Sequence, residues 1–402
     1  MARHDAIVVG GGISGTTFAF RAARAGRKVL LLERDDRIGG CLQTVRTPQG
    51  FWFELGAHTC YSSYGALLEV LEALGLRGEL QRRAPPRLRF VQGDELVPGQ
   101  NLGALLRLMD KGELLRSLPR LLGARQDGET VYSYYARIVG RRNYGRVLGP
   151  MLSAVPSQSA DAFPADMLFK KRARRKDVPR SFTLRQGLQV LPEAAARAPG
   201  VTARLGAAAV RVERAAGGFA VRLPDGSVEE APVVALATPP AAAAALLSEV
   251  APEAASLAAR VREAAVETLG FAVRAERVAH LPPSTFLVPL EDSFHSVVTR
   301  DVVPDPAWRG FAFHFKPGLS ADERLGRAAR LLRLAPSDIE GRAERRSVLP
   351  SPVLGHQDVV RELDRLLAGT RLAVTGNWFG GLAIEDCALR SRAEWARIEA
   401  LG

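Results

Sequence analysis

The sequence has few of the residues that build disulfide frameworks and metal centres. Its 402 residues include only six histidines and three cysteines, Cys41, Cys60 and Cys387. The cysteines are odd in number and widely spaced, which argues against a disulfide framework, and no His/Glu cluster has metal-ligand spacing. We therefore expect no metal, and a location in the reducing cytoplasm.

Long uninterrupted apolar runs are also missing. The longest, residues 231–247, is broken by Pro239 and Pro240, so the sequence predicts no transmembrane helix. A strand begins within the first residues of the chain, which predicts that no signal peptide is present. Hydrophobic residues make up 47% and charged residues 24% of the chain, as in ordinary globular proteins. At this length we expect two domains rather than one.

Lysine is scarce, whereas arginine is abundant. Only six of the 55 basic residues are lysines, and the net charge is +12. Such a surplus implies attraction to nucleic acid, lipid headgroups or a polycarboxylate substrate. No nucleic-acid-binding module or aromatic-basic interleaving is present, so we expect no nucleic-acid partner. The six cations within residues 170–176 form either a solvated loop or a contact for an anionic membrane surface or an acidic partner.

The most specific signal lies in the first forty residues. A short apolar run, residues 6–9, leads into Gly10-x-Gly12-x-x-Gly15, and a predicted helix and a second apolar strand follow before Glu33. The glycines allow a tight turn, the approach of a pyrophosphate, and packing of helix on strand. The helix N-terminus favours the anion, and the carboxylate of Glu33 can accept hydrogen bonds from ribose hydroxyls. This stretch therefore predicts a Rossmann-type dinucleotide-binding domain.

The residues after this fingerprint continue as Glu33-x-x-x-Arg37-x-Gly39-Gly40. This extension resembles the flavoprotein family that includes amine oxidases, phytoene desaturases and protoporphyrinogen oxidases. The resemblance implies FAD as cofactor, with Arg37 and the glycine pair running along the pyrophosphate towards the flavin. Most amine oxidases place Arg or Lys after the glycine pair, whereas Cys41 stands here, and this disfavours that subfamily.

A second resemblance lies near the C-terminus. A predicted strand at residues 372–375 leads into a glycine-rich loop, and a helix is predicted from about Ile384. With Leu349-Pro350 and Gly355-His356 upstream, this segment resembles the ending of bacterial protoporphyrinogen and coproporphyrinogen oxidases.

We expect an α/β fold with a Rossmann-type FAD-binding domain and an inserted mixed substrate domain of antiparallel sheet and helices. The predicted FAD-binding domain comprises residues 1–80, 187–240 and 346–402. Residues 81–186 and 241–345 are predicted to form the helical part and the sheet of the substrate domain.

The fingerprint and the resemblance together assign the residues that bind the cofactor. They are Gly10, Gly12, Ile13, Ser14, Gly15, Glu33, Arg34, Arg37, Gly39, Gly40, Gly56, Ala57, His58, Thr59, Val210, Thr238, Gly376, Asn377, Gly381, Ala383 and Ile384.

The resemblance implies an oxidase that removes hydrogen from protoporphyrinogen or coproporphyrinogen, with hydride transfer to flavin N5 and oxygen or a quinone as acceptor. Such macrocycles are apolar with carboxylate rims, so we expect an apolar slot with arginine at its edge. Arg87 is the predicted anchor, because its hairpin resembles the one that carries a carboxylate-binding arginine in the family. Trp378 and Phe379 are candidates for aromatic walls. His58 either contacts flavin or substrate or bonds to the loop backbone.

Three alternatives stay open at this point: a flavin amine oxidase, a carotenoid-type desaturase, and a non-catalytic FAD or pigment-binding protein. Amine oxidases usually place a lysine on a strand of the substrate domain. Lys316 is the only lysine after residue 176, and it directly precedes Pro317. No catalytic base is assigned, because the flavin mediates the chemistry.

Overall fold

The computed structural model describes residues 4–85, 87–99 and 102–402. Its strands are β1 (Ala6–Val9), β2 (Val29–Leu32), β3 (Thr44–Arg46), β4 (Trp52–Glu54), β5 (Cys60–Tyr61), β6 (Leu80–Arg82), β7 (Leu88–Gln92), β8 (Glu95–Pro98), β9 (Ser181–Leu184), β10 (Val201–Arg204), β11 (Arg211–Ala215), β12 (Gly218–Arg222), β13 (Val228–Ala231), β14 (Val233–Leu236), β15 (Glu263–Arg274), β16 (Phe286–Pro289), β17 (Phe294–Thr299), β18 (Trp308–Phe315), β19 (Ile339–Pro350) and β20 (Leu372–Val374).

The α-helices are α1 (Ile13–Arg24), α2 (Gly65–Ala73), α3 (Leu102–Leu108), α4 (Lys111–Ser117), α5 (Val131–Val139), α6 (Arg141–Asn143), α7 (Gly149–Ala154), α8 (Ala165–Leu168), α9 (Val190–Ala196), α10 (Pro240–Leu247), α11 (Pro252–Ala259), α12 (Ala321–Leu332), α13 (His356–Leu367) and α14 (Ile384–Glu399). Short 3₁₀ turns lie at Leu76–Glu79, Leu118–Leu121, Ala275–Val278, Arg300–Val302 and Pro336–Asp338, and a π-helical turn lies at Tyr144–Leu148. Among the described residues, no helix has the length and apolar character needed to cross a membrane.

The first sheet is parallel, with strand order β10-β2-β1-β14-β20. β1 and β2 are apolar runs buried on both faces, as a parallel sheet covered by helices requires. One face packs on α1 and α14, where the rings of Phe18 and Trp395 meet edge-on at 5.7 Å. The chain continues from β1 to β2 on one side while β14 lies on the other. The carboxyl end of β1 is therefore a topological switch point, where such sheets bind ligands.

The second sheet has seven strands within the described residues, in the order β19-β15-β18-β17-β16-β7-β8. Its pairs are antiparallel, except for β16 and β7, which are parallel. One face packs on α12 through aromatic residues such as Phe271 and Phe313. The opposite face, called the inner face below, carries Gly270 and Gly310, and Phe53 of β4 lies directly against both. The two sheets together confirm the predicted α/β class with a Rossmann-type domain and a mixed second layer.

The seven-stranded sheet contains strands from distant parts of the sequence. The hairpin predicted around Arg87 is β7 and β8, and it extends the seven-stranded sheet by pairing with β16. β19 continues in this sheet to Pro350, past the domain boundary predicted between residues 345 and 346. The division into two domains stays a prediction.

Glu54 connects the β3–β4 hairpin to the chain that returns after β9. Its buried carboxylate accepts hydrogen bonds from the Leu188 N–H at 2.7 Å and from the Thr44 hydroxyl at 2.9 Å. Thr44 N–H in turn donates to Gln189 Oε1 at 2.9 Å. Burial raises the pKa of Glu54 to about 7, because desolvation outweighs these hydrogen bonds. The folded chain therefore holds this proton more tightly than the unfolded chain.

Replacing Glu54 by glutamine should reduce the pH dependence of stability. The folded-state pKa lies above the value of about 4.3 for an unfolded glutamate. The stabilisation from the protonated group is therefore complete below that value and is lost as the pH rises through about 7. Between about pH 5 and pH 7.5, the free energy of unfolding of the wild type should fall relative to Glu54→Gln by on the order of 2 kcal/mol.

Urea titrations at several pH values would measure this difference. Glu230→Gln is the matched control, because Glu230 is exposed on β13, and its pH profile should follow that of the wild type. Parallel profiles for wild type and Glu54→Gln would contradict the prediction.

Candidate cofactor and substrate site

The turn between β1 and α1 brings two glycine segments into backbone contact. Gly10 has φ +107°, and a Cβ on it would lie 2.5 Å from Ala237 O, so only glycine fits there. Gly12 and Gly39 form an isolated parallel bridge. Gly40 has φ +54°, and a Cβ on it would lie 2.9 Å from Gly12 Cα. Gly10, Gly12, Gly39 and Gly40 thus form one glycine cradle at the switch point.

The start of α1 supplies free hydrogen-bond donors beside this cradle. The helix begins at Ile13, has no side-chain cap, and carries no acidic residue in its first turn. Its first N–H groups have no partner within the helix, and their dipoles favour an anion. Ser14 and Gly15 are buried in that turn, and Ser14 O accepts a hydrogen bond from Ser391 of α14 at 2.8 Å.

Glu33 holds the turn and the following loop together. Its Oε2 accepts the Gly11 N–H at 2.5 Å, and its Oε1 accepts the Asp35 N–H at 2.9 Å. A carboxylate has about four lone-pair positions, so both oxygens can accept further bonds from a ribose. Arg34 is exposed, with its Nε 3.3 Å from Asp35, and it is not brought to the cradle.

Two guanidinium groups converge on the carbonyl oxygen of Gly40. Arg37 Nη2 donates to it at 2.8 Å, and Arg345 Nη1, from β19 of the other sheet, donates at 2.5 Å. Arg345 also donates to Gln43 Oε1 at 2.8 Å. Burial, followed by the charge of Arg345, lowers the pKa of Arg37. Two guanidinium cations this close together are suited to binding an anionic group at the cradle.

Buried hydroxyl groups mark a further part of the site. In the described part of the chain, Thr59 Oγ1 and Thr238 Oγ1 are buried without a hydrogen-bond partner. Gly56 and Ala57, in the loop before Thr59, lie against Cys41 O. These unpartnered hydroxyls, the cradle and the convergent cations fit a large anionic ligand with polar edges, as FAD is.

Trp378 and Phe379 are buried in the hydrophobic core beside the parallel sheet. Their rings stack at 4.0 Å, and the Arg390 guanidinium lies 3.9 Å from the Phe379 ring centre. His356 Nε2 lies 2.6 Å from Trp378 O and fixes the backbone there. Their role as aromatic walls for a substrate stays a prediction.

The other predicted C-terminal contacts lie after β20 and at the start of α14: Gly376, Asn377, Gly381, Ala383 and Ile384. The carboxylate of Asp386 accepts the Ala383 N–H at 3.3 Å. An acidic residue thus already occupies part of this helix start, unlike the first turn of α1.

The basic run 170–176 is largely engaged by carboxylates of this chain. Lys170 donates to a backbone carbonyl and lies 3.6 Å from Asp386, while Arg172 bonds to Asp386 at 2.7 Å. Arg175 pairs with two further carboxylates. Lys171, Arg174 and Lys176 are exposed and form no ion pair among the described residues, whereas the exposed Lys170 is paired. Contact with an anionic membrane stays a prediction, and it depends on these three.

His58 lies at a small cavity between the loop 56–59 and the inner face. The cavity has a volume of about 20 Å³, room for about one water molecule. Its wall consists of Trp52, Phe53, Glu54, His58, Thr183, Val298, Thr299, Arg300, Val302, Gly310 and Ala312. His58 Nδ1 lies 3.2 Å from Gly56 O, and burial, followed by the charge of Arg83, lowers the pKa of His58 to about 3. Its imidazole is therefore neutral at physiological pH.

Arg300 gives the cavity wall a positive charge. Its guanidinium lies 4.0 Å from the Trp52 ring centre and donates to Val303 O. Burial lowers the pKa of Arg300 to about 10, so it stays charged at neutral pH. Within residues 4–85, 87–99 and 102–402 it forms no ion pair with a carboxylate.

Arg87 and Val210 both lie on the surface. Arg87 is exposed just before β7, where its N–H donates to Thr285 Oγ1 at 2.9 Å. Val210 is 55% exposed, and its N–H donates to Arg222 O at 2.9 Å, so this donor is not free for an adenine contact.

Sequence reasoning missed Arg83, Arg300 and Arg345, which lie in or beside the site. The only signal was the general excess of arginine, which marks no position. Among the described residues, no group of three or more His, Cys, Asp or Glu side chains is placed to hold a metal ion.

Comparisons with known proteins agree with this geometry. The profile of the flavin containing amine oxidoreductase family matches residues 13–273. Protoporphyrinogen oxidase of Macaca fascicularis is 27% identical over an alignment covering 98% of each chain. All-trans-retinol 13,14-reductase of Danio rerio is 52% identical over 54 residues, so the match spans only 13% of this chain and 9% of that protein.

A solved structure supports the fold over the whole chain. The "Putative protoporphyrinogen oxidase from Exiguobacterium sp. 255-15" superimposes with a TM-score of 0.79, covers 100% of both chains and is 19% identical. Because the family profile spans more than half of the chain and the glycine cradle fits its cofactor, the chain belongs to the flavin containing amine oxidoreductase family and is an FAD-dependent oxidoreductase.

Proposed function

We propose that the protein oxidises a porphyrinogen, such as protoporphyrinogen or coproporphyrinogen, with oxygen or a quinone as electron acceptor. The alignment with the macaque protoporphyrinogen oxidase supports this substrate class, because it runs through 98% of both chains. Local matches elsewhere in the family, such as the one with the retinol reductase, carry less weight for the substrate, since they cover only a small part of this chain.

The observation that carries the proposal is the half-buried guanidinium of Arg300, which forms no ion pair among the described residues and lies with Glu54 in an otherwise mainly apolar cavity wall. A porphyrinogen carries carboxylates that can pair with Arg300, and because the cavity has room for only about one water molecule, its apolar ring would lie outside the cavity. A protonated amine would be repelled by Arg300, and a carotene has no group to pair with it.

Bound FAD supplies the acceptor for the hydrogen and electrons that leave the substrate. The chain's own residues bind and orient the substrate. Phe53 packs against Gly270 and Gly310 and excludes water from the inner face. With its pKa at about 3, His58 is a neutral imidazole at neutral pH, which donates a hydrogen bond through one ring nitrogen and accepts one through the other.

We also propose which residues bind each part of FAD. The cradle and the start of α1 take the pyrophosphate, Glu33 takes the ribose, and Arg37 with Arg345 neutralises the anion. The hydroxyls of Thr59 and Thr238, which are buried without a partner among the described residues, are the remaining proposed contacts to FAD.

Anaerobic mixing with candidate substrates tests the substrate class. Protoporphyrinogen or coproporphyrinogen should bleach the absorbance of the oxidised flavin, whereas primary amines and carotenoids should not. Bleaching by an amine or a carotenoid alone would replace the proposed substrate. If none of these compounds reduces the flavin, the non-catalytic alternative is favoured.

Cofactor affinity tests the FAD contacts. Glu33→Ala and Arg345→Ala should each weaken FAD binding by about 1–3 kcal/mol, which is about five- to 150-fold in Kd. Titration of the deflavinated protein with FAD, followed by flavin fluorescence, measures this loss. Arg346→Ala is the matched control, because Arg346 is the exposed neighbour on β19. Equal affinity in Arg345→Ala and Arg346→Ala would remove Arg345 from the site.

Arg87 stays the predicted anchor at the edge of the site. Arg87→Ala should raise KM for a porphyrinogen and lower kcat/KM about ten- to a hundred-fold, because a charge-assisted hydrogen bond is lost. Arg87→Lys should restore only part of the lost kcat/KM, since lysine keeps the charge but lacks the two parallel N–H donors of the guanidinium. Arg214→Ala, exposed on β11 in another sheet, is the control. An unchanged kcat/KM in Arg87→Ala would keep the oxidase and discard this anchor.

A further inference from the structure

Arg83 is a buried cation without a partner. Its residue is 8% exposed, and its Nε and Nη2 are buried with no hydrogen-bond partner among the residues that the structure describes. No carboxylate of the described chain pairs with it, and burial lowers its pKa. A buried charge left unpaired costs several kcal/mol. This unfavourable free energy remains unless a ligand places an anionic group beside the guanidinium.

The strand register places Arg83 beside the site cavity. β5, β9 and β6 form a small sheet in which Gln81 pairs with Thr183, and the Arg83 N–H donates to Ser181 O at 3.3 Å. Because side chains alternate along strands, Arg83 and Thr183 lie on the same face. The opposite face, with Phe182, is buried in the core.

Thr183 gives a second, independent indication of a ligand. It lines the site cavity, is 2% exposed, and its Oγ1 is buried without a hydrogen-bond partner in the described residues. The Ala84 N–H donates to Val302 O at 2.7 Å, which ties the segment after Arg83 to the cavity wall. One face of one sheet thus holds two unpartnered donors: Thr183 lies in the cavity wall, and Arg83 lies on the same face, close enough to lower the pKa of the wall residue His58.

We propose that Arg83 and Thr183 bind a carboxylate of the substrate inside the protein, in addition to any anchor at the surface. The guanidinium pairs with the carboxylate, and the hydroxyl donates a further hydrogen bond to it. The site thereby selects a ligand with an apolar body and a carboxylate that reaches inward past His58. This inference rests on the proposed function, because a porphyrinogen propionate is the carboxylate that it names.

Equilibrium binding to the holoenzyme tests this without turnover. The probes are coproporphyrin and its methyl ester, with binding followed by porphyrin fluorescence. Arg83→Met should weaken binding of the acid about ten- to a hundred-fold and leave the ester unchanged. Arg83→Lys should recover part of the loss. Thr183→Val, which keeps the shape and removes the unpartnered hydroxyl, should weaken the acid about three- to ten-fold without lowering the melting temperature.

The outcomes separate this inference from the proposed function. If the wild type binds the acid tightly and both Arg83→Met and Thr183→Val match it, the internal carboxylate site is overturned while the oxidase stands. If Arg83→Met loses FAD at an unchanged melting temperature, Arg83 serves the cofactor and the inference is also overturned. A wild type that binds neither probe, and whose flavin no porphyrinogen reduces, overturns both. If Arg83→Met fails to fold, Thr183→Val alone decides between these results.

Discussion

The structure depends on the close contact between the backbones at Gly12 and Gly40. A side chain does not fit at Gly40, since a Cβ there would lie 2.9 Å from Gly12 Cα. This contact sets the loop after Glu33 against the β1–α1 turn and directs the Gly40 carbonyl towards two guanidinium groups. One of them, Arg345, lies on β19 of the seven-stranded sheet. The same contact therefore builds the proposed pyrophosphate site and connects the seven-stranded sheet to it.

Arginine that is at least half-buried and forms no ion pair among the described residues is the common feature of the proposed cofactor and substrate regions. Burial lowers the pKa of Arg37, Arg83 and Arg300, because a desolvated cation loses its hydration. Arginine suits such places better than lysine, since the guanidinium is weakly hydrated and remains charged. We therefore expect these arginines to bind two kinds of anion, the pyrophosphate of FAD and the carboxylates of the proposed substrate. This also explains physically why an amine is the weaker candidate.

The inner face of the seven-stranded sheet is where members of one fold can differ in substrate. Fold likeness alone does not give the reaction, because a common scaffold supports many sites. Here the face combines glycines that admit Phe53 with buried polar groups such as His314, whose Nδ1 lies 3.0 Å from Thr268 Oγ1. Burial lowers the pKa of His314 to about 4, so this group too is neutral. The charge at the cavity wall therefore comes from Arg300 and, above its pKa of about 7, from Glu54.

The sequence by itself determined the class of fold, the cofactor and the family, because these follow from local patterns. A buried strand, a glycine turn, a helix and an acid lie within about thirty residues, and their spacing carries the physics of pyrophosphate binding. The assignments of single site residues and of domain boundaries stay predictions. Only the tertiary structure decided that Trp378 and Phe379 belong to the core and that Arg345 meets Gly40. These contacts join residues far apart in the chain, and local periodicity gives no information about which distant side chains meet or which buried charges are left without a partner.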